Sequence, residues 1–121
     1  MIVVVANIEL DPAKRDACVA ASVAIQKATR DDEPGCLAYC FGADPVEPNG
    51  IQVYELWADE QSLAAHFLHP NYLAMRGMFN DYGITKAVSR KFLTILDEPV
   101  YDSNRTPRAD FFTAKDPKAT A

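Results

Sequence analysis

Two segments of this chain are apolar at nearly every position, a pattern that a strand with one face in water does not tolerate. Ile2 to Leu10 sets Ile2, Val4, Ala6 and Ile8 on one side against Val3 and Val5 on the other. Cys36 to Gly42 sets Leu37, Tyr39 and Phe41 against Cys36, Ala38 and Cys40. Antiparallel sheets with a wet face alternate apolar and polar residues. A sheet built from these segments therefore needs a cover on both sides.

The remaining elements supply only one such cover. Asp11 is a good N-cap with Pro12 at the first helical position, and the helix runs to about Arg30. Cys18, Ala21, Ile25 and Ala28 form its apolar stripe. Asp31 to Gly35 ends it, Cys36 to Gly42 is the second strand, and a Pro/Gly/Asn-rich turn leads into a third from Ile51 to Trp57. Asp59 caps a second helix with Leu63, Phe67 and Leu68 facing inward. Pro70 interrupts it, a helical piece resumes from Asn71 to Phe79, and Lys86 to Leu96 is the fourth strand. The order β-α-β-β-α-β is ferredoxin-like, an α+β fold with a four-stranded antiparallel sheet, over residues 1–96. Exposed apolar area costs roughly 25 cal/mol per Å², so the second sheet face is expected to meet another copy of the chain in a homodimer. Residues 97–121, with Tyr101, Phe111 and Phe112, form a tail expected to dock on that dimer.

Composition removes several classes of function. The chain has 121 residues and a net charge of −5, with no basic stripe to follow a phosphate backbone, so nucleic acid is not an expected partner. No apolar run approaches the roughly 20 residues that span a bilayer, and Met1 to Ala6 lacks the basic flank of a signal peptide. Cys36 and Cys40 would lie about 13 Å apart along one strand, beyond disulfide reach. Reduced thiols and a cytoplasmic location are the economical expectation. His66 and His69 have no suitably spaced further ligands, and no glycine-rich phosphate loop is present, so neither a metal nor a bound coenzyme is expected.

Glu33-Pro34-Gly35-Cys36-Leu37, then Tyr54-Glu55-Leu56-Trp57-Ala58-Asp59-Glu60, Leu63-Ala64-Ala65-His66, and Pro70 followed by Tyr72 resemble the antibiotic biosynthesis monooxygenase domain family over residues 1 to 96. The resemblance implies a ferredoxin-like monomer pairing sheet to sheet into a dimeric α+β barrel. It also implies oxidation of aromatic, polyphenol or quinol-type molecules by dioxygen without a cofactor. Haem-degrading members of the family carry an Asn on strand one, a Trp on the second helix and an axial His. Asn7 fits that pattern, but His66 stands at the helical Trp position and Arg76 at the axial position. An Arg cannot ligate iron, so haem degradation is not expected.

Oxygenation without a cofactor needs a base, donors where oxyanion charge develops, and a dry aromatic pocket. His66 is the candidate base, and Asn7 is a second candidate catalytic residue, as a donor to the oxyanion. Tyr72 and Arg76 are candidate donors, and Trp57, Phe67 and Phe79 candidate walls. Plainer readings stand beside these: His66 bonded to Glu55 or a backbone carbonyl, Trp57 as core, and Glu55 paired with Lys or Arg across the sheet or contributing to the dimer interface. A non-catalytic small-molecule-binding dimer and an isomerase or cyclase in which His66 moves protons are the rival functions.

Overall fold

The computed structural model describes residues 1–115. Its elements are β1 (Ile2–Glu9), α1 (Pro12–Asp32), β2 (Cys36–Ala43), β3 (Gly50–Trp57), α2 (Glu60–Leu68), α3 (Pro70–Tyr82), β4 (Lys86–Leu93) and a short 3-10 turn over Thr113–Lys115. The strands form one antiparallel sheet in the order β2-β3-β1-β4. This is the ferredoxin-like α+β arrangement expected from the sequence. The element ends are chemically marked. Asp11 accepts from the Ala13 N–H, Asp59 from the Ser62 N–H and hydroxyl, and the α3 C-cap Gly83 takes the left-handed φ of 74°.

All three helices lie on one face of the sheet, over a core that includes Ile2, Ile8, Tyr39, Phe41, Ile51, Val53 and Trp57. On β3 the alternation is strict: Ile51, Val53, Glu55 and Trp57 are buried, while Gln52 and Tyr54 are exposed. The opposite, outer face presents Val3, Val5 and Asn7 of β1 beside Tyr54 and Leu56 of β3 and Val88 and Phe92 of β4. Tyr54, Val88 and Phe92 remain 45–50% exposed.

Three local expectations need correction. The buried stripe of α1 is Cys18, Ser22, Gln26 and Thr29 rather than Cys18, Ala21, Ile25 and Ala28. The helix lies against the free edge of β2, and its polar groups satisfy that edge. Gln26 accepts from the Phe41 N–H and donates to the Phe41 carbonyl, while Arg30 donates to the Tyr39 carbonyl. Next, an irregularity between Cys36 and Ala38 puts Cys36, not Leu37, in line with Tyr39 and Phe41. Finally, α2 buries Leu63 and His66, leaving Phe67 and Leu68 exposed.

Beyond β4 the chain turns back on itself. The Glu98 carboxylate accepts from the Phe112 and Thr113 N–H groups and the Thr113 hydroxyl, and Arg108 bridges Asp102 and Asp110. Phe111 comes to lie beside Val3, Tyr54 and Leu56 at one end of the outer sheet face. The last part of the expected 97–121 tail lies outside the described residues.

Candidate functional site

The loop from α1 to β2 brings the first functional group into place. Gly35 packs against the start of α2 so closely that a Cβ there would sit 2.0 Å from the Ser62 hydroxyl oxygen. That approach lets Glu33 reach across to His66, whose Nδ1 lies 2.8 Å from Glu33 Oε1. The other Glu33 oxygen accepts from Asn71 Nδ2 at 3.2 Å. His66 is 2% exposed. Its ring lies 4.4 Å from that of Trp57 and makes edge contacts with Tyr39 and Tyr72. Burial pushes its pKa below the ordinary imidazole value, while the bond to Glu33 and its charge act in the opposite sense. A neutral ring donating from Nδ1 to Glu33 leaves Nε2 as a proton acceptor. Nδ1 makes the imidazole's one hydrogen bond among the described residues, and no fully buried side-chain nitrogen or oxygen lacks a partner. Nε2 is therefore not fully sealed.

Glu55 enters the same space from the sheet. It is 8% exposed, and one oxygen accepts from Trp57 Nε1 at 2.9 Å. No cation pairs with it among the described residues. Loss of water pushes its carboxyl up to about 7, the nearby Glu33 charge adds to the rise, and the Trp57 bond opposes it. By the argument used for Nε2, its second oxygen is not sealed. Both groups line an open cleft of about 510 Å³ between the sheet and α3. Phe41, Tyr39 and Phe79 give that cleft aromatic walls, with Phe41 and Phe79 stacked at 5.6 Å. Tyr72 and Arg76 reach it from α3.

The cleft therefore unites four of the residues singled out from the sequence, His66, Tyr72, Arg76 and Phe79. Trp57 lies behind the wall, wholly buried, holding Glu55 and packing with its ring tilted against that of His66. Phe67 is 47% exposed and lines a separate groove with Ile2, Leu63 and Leu93, because the inward stripe of α2 runs through Leu63 and His66. Asn7 is also outside the cleft. It pairs with Gln52 and Val88 on the outer face, one residue out of phase with the inward-facing Ile8, so Asn7 and His66 lie on opposite sides of the sheet.

Glu55 and Glu33 are the groups that residue-by-residue reading missed. Glu55 neither pairs with a cation nor joins the outer face, and His66 takes Glu33, not Glu55, as its partner. The phase of β3 held the clue, since Ile51, Val53 and Trp57 set the inward side and Glu55 shares it. Nothing local linked Glu33 to a side chain 33 positions away. Among the described residues, no three His, Cys, Asp or Glu side chains gather as a metal site, and no helix is long and apolar enough to cross a membrane.

These features define a small ferredoxin-like protein with a buried imidazole and a buried carboxylate lining an aromatic cleft on the helix side of its sheet. The chain belongs to the antibiotic biosynthesis monooxygenase family, whose sequence profile matches residues 1–77. It is 35% identical over 71 residues to the uncharacterized protein sll1783 of Synechocystis, a match covering 59% of this chain and 48% of that protein. The chain thus spans about half the length of this curated relative. Among solved structures, a candidate antibiotic biosynthesis monooxygenase from Caulobacter crescentus superposes with a TM-score of 0.72 at 23% identity, over 78% of this chain and 90% of that one. Another from Deinococcus radiodurans gives 0.70 at 17% identity, over 84% and 100%. At these identities the two structures establish the shared fold.

Proposed function

We propose that this protein is a monooxygenase-type enzyme that oxidises a flat aromatic, polyphenol or quinol-type small molecule with dioxygen, without a metal or bound coenzyme. The observation that carries the reading is that His66, from α2, and Glu55, from β3, line the same aromatic cleft. An electron-rich phenol or anthrol reacts with dioxygen once it has lost a proton, so the protein's task is to remove that proton in a dry site. His66 is the base. Tyr72 and Arg76 are donors to the developing oxyanion, and Phe79 is a wall against the substrate plane. The working unit is a homodimer joined through the apolar outer sheet face, with the tail beside Phe111 contributing to the contact. Three free thiols suit a cytoplasmic setting.

The test is dioxygen uptake with anthrone and a set of hydroquinones. Wild type should consume dioxygen faster than the spontaneous reaction, and His66→Ala should lose about 100-fold or more in kcat. A His66→Ala variant at full rate removes His66 from the chemistry. The presence of two proton-handling groups also favours a second reading, an isomerase or cyclase. Substrate conversion that proceeds equally well under argon would select it. Tight binding without turnover in either atmosphere would select a binding protein instead.

A further inference from the structure

We infer that Glu55 is the general acid of this cleft, the group that delivers a proton to oxygen after His66 has taken one from the substrate. The inference rests on the oxygenase reading for its substrate and on the geometry of β3 for its residue. A carboxylate nine-tenths removed from water with no cation beside it is a costly thing to keep. Here one oxygen is fixed by Trp57 Nε1 and the other is left for the cleft. Tyr39 and Cys36 on β2, Glu33 before it, His66 on α2, and Tyr72 and Arg76 on α3 are the titratable and charged groups around it. Arg76 is exposed at the cleft and forms no ion pair with Glu55.

The surroundings drive the two proton carriers in opposite directions. Burial and Glu33 raise the Glu55 carboxyl to about 7, and burial lowers His66. Near neutral pH a large share of the Glu55 carboxyls then keep their proton, while burial favours the neutral, proton-accepting form of His66.

With anthrone as substrate the sequence balances. His66 Nε2 takes one proton from the reactive CH2, and the resulting carbanion supplies the electron pair that forms a C–O bond to dioxygen. Glu55 protonates the distal oxygen, giving a hydroperoxide. The Glu55 carboxylate then removes the remaining proton on that carbon, the C–H electron pair becomes the new C=O bond, and the O–O bond breaks. The departing hydroxide takes the proton held by His66 and leaves as water. Anthrone and dioxygen become anthraquinone and water, and both side chains return to their starting states.

Trp57 is the chain's one tryptophan and touches both groups, so its emission reports their ionisation without any substrate. The full-length wild type and Glu55→Gln are compared in two measurements, the pH dependence of Trp57 fluorescence and that of anthrone-driven dioxygen uptake. Glutamine can still accept from Trp57 Nε1 but has no proton to give. The expected result is a fluorescence transition near pH 7 in wild type that Glu55→Gln lacks. In turnover, Glu55→Gln should lose about 100-fold in kcat with KM little changed, and the fall in rate through about pH 7 seen in wild type should vanish. Wild-type turnover with Glu55→Gln at full rate, or with the same alkaline fall, overturns the assignment and leaves the oxygenase reading intact. If wild type does not turn over anthrone or the hydroquinones, the oxygenase reading fails, and the fluorescence decides the state of Glu55. A transition lost in Glu55→Gln supports an acid held protonated at neutral pH, and a flat wild-type titration overturns it.

Discussion

The two faces of the sheet are made by the same strands, and they put their side chains to opposite uses. On the helix side, Glu55 and His66 lie among Trp57, Tyr39 and Phe41, removed from water, and burial raises the proton affinity of the one and lowers that of the other. On the outer side, Asn7 lies between Gln52 and Val88 on the strands beside it and is exposed to solvent in the single chain. One step along β3 separates the two situations, since Glu55 points inward and Tyr54 outward. Burial, more than residue type, decides which polar group becomes chemistry. A carboxylate on the outer face would be an ordinary hydrated charge, and on the inner face it holds its proton near neutrality.

Adjacent residues of β3 offer the strongest way to break this comparison. Val53→Asp places an unpaired charge in the helix-side core, where Val53 is 6% exposed. A loss of several kcal/mol is expected, enough to prevent cooperative unfolding in a thermal scan. Tyr54→Asp, one residue on, should keep the fold and its melting behaviour close to those of the wild-type monomer. It should convert the proposed dimer to monomer by light scattering, and a dimer that survived it would remove the outer face as the interface.

A smaller effect separates the faces by pH. The Glu55 carboxyl is raised in the folded chain from 4.5 to about 7, so the folded state holds a proton that the unfolded state releases. Stability is then fully present below about 4.5 and is lost as pH rises toward 7. The maximum loss is about 3 kcal/mol, from about 1.4 kcal/mol per unit. His66 acts with the other sign, because its lowered pKa costs stability as pH falls below 6.5. Urea denaturation at pH 5 and pH 8 should show Glu55→Gln gaining on wild type as pH rises. An equal difference at both values would contradict the buried, protonated Glu55. The least disturbance is expected from Asn7→Ala, which should change stability by no more than about 0.5 kcal/mol and leave the Trp57 fluorescence titration where it is. A shift in that titration would mean that the faces communicate.

Much of the fold could be read along the chain because its signals are local. Asp11-Pro12 and Asp59 mark helix starts through hydrogen bonds made within three residues. The apolar runs of β1 and β2 announce strands. Errors arose wherever a distant partner set the answer. The buried stripe of α1 turned toward Gln26 because the β2 edge offers Phe41 backbone groups to bond, a reward no helical periodicity records. Phe67 was expected inward on hydrophobicity, yet α2 turns His66 inward because Glu33 is there to hold it. Asn7 stands out in an apolar strand because a buried amide costs free energy unless it is bonded, but it is not buried. The register shows it facing away from the helices.

By itself, then, the sequence determined the elements, their order, the two-sided apolarity of the sheet and the membership of the family, all properties of spacing along one chain. The tertiary structure alone decided which polar groups meet. It brought Glu33 to His66 across 33 residues, turned Glu55 from the sheet and His66 from α2 into one cleft, and put Asn7 on the other side of the sheet. The physical reason is that proton affinity depends on burial and on neighbours within a few ångströms, and both are products of packing that no residue carries in its own name.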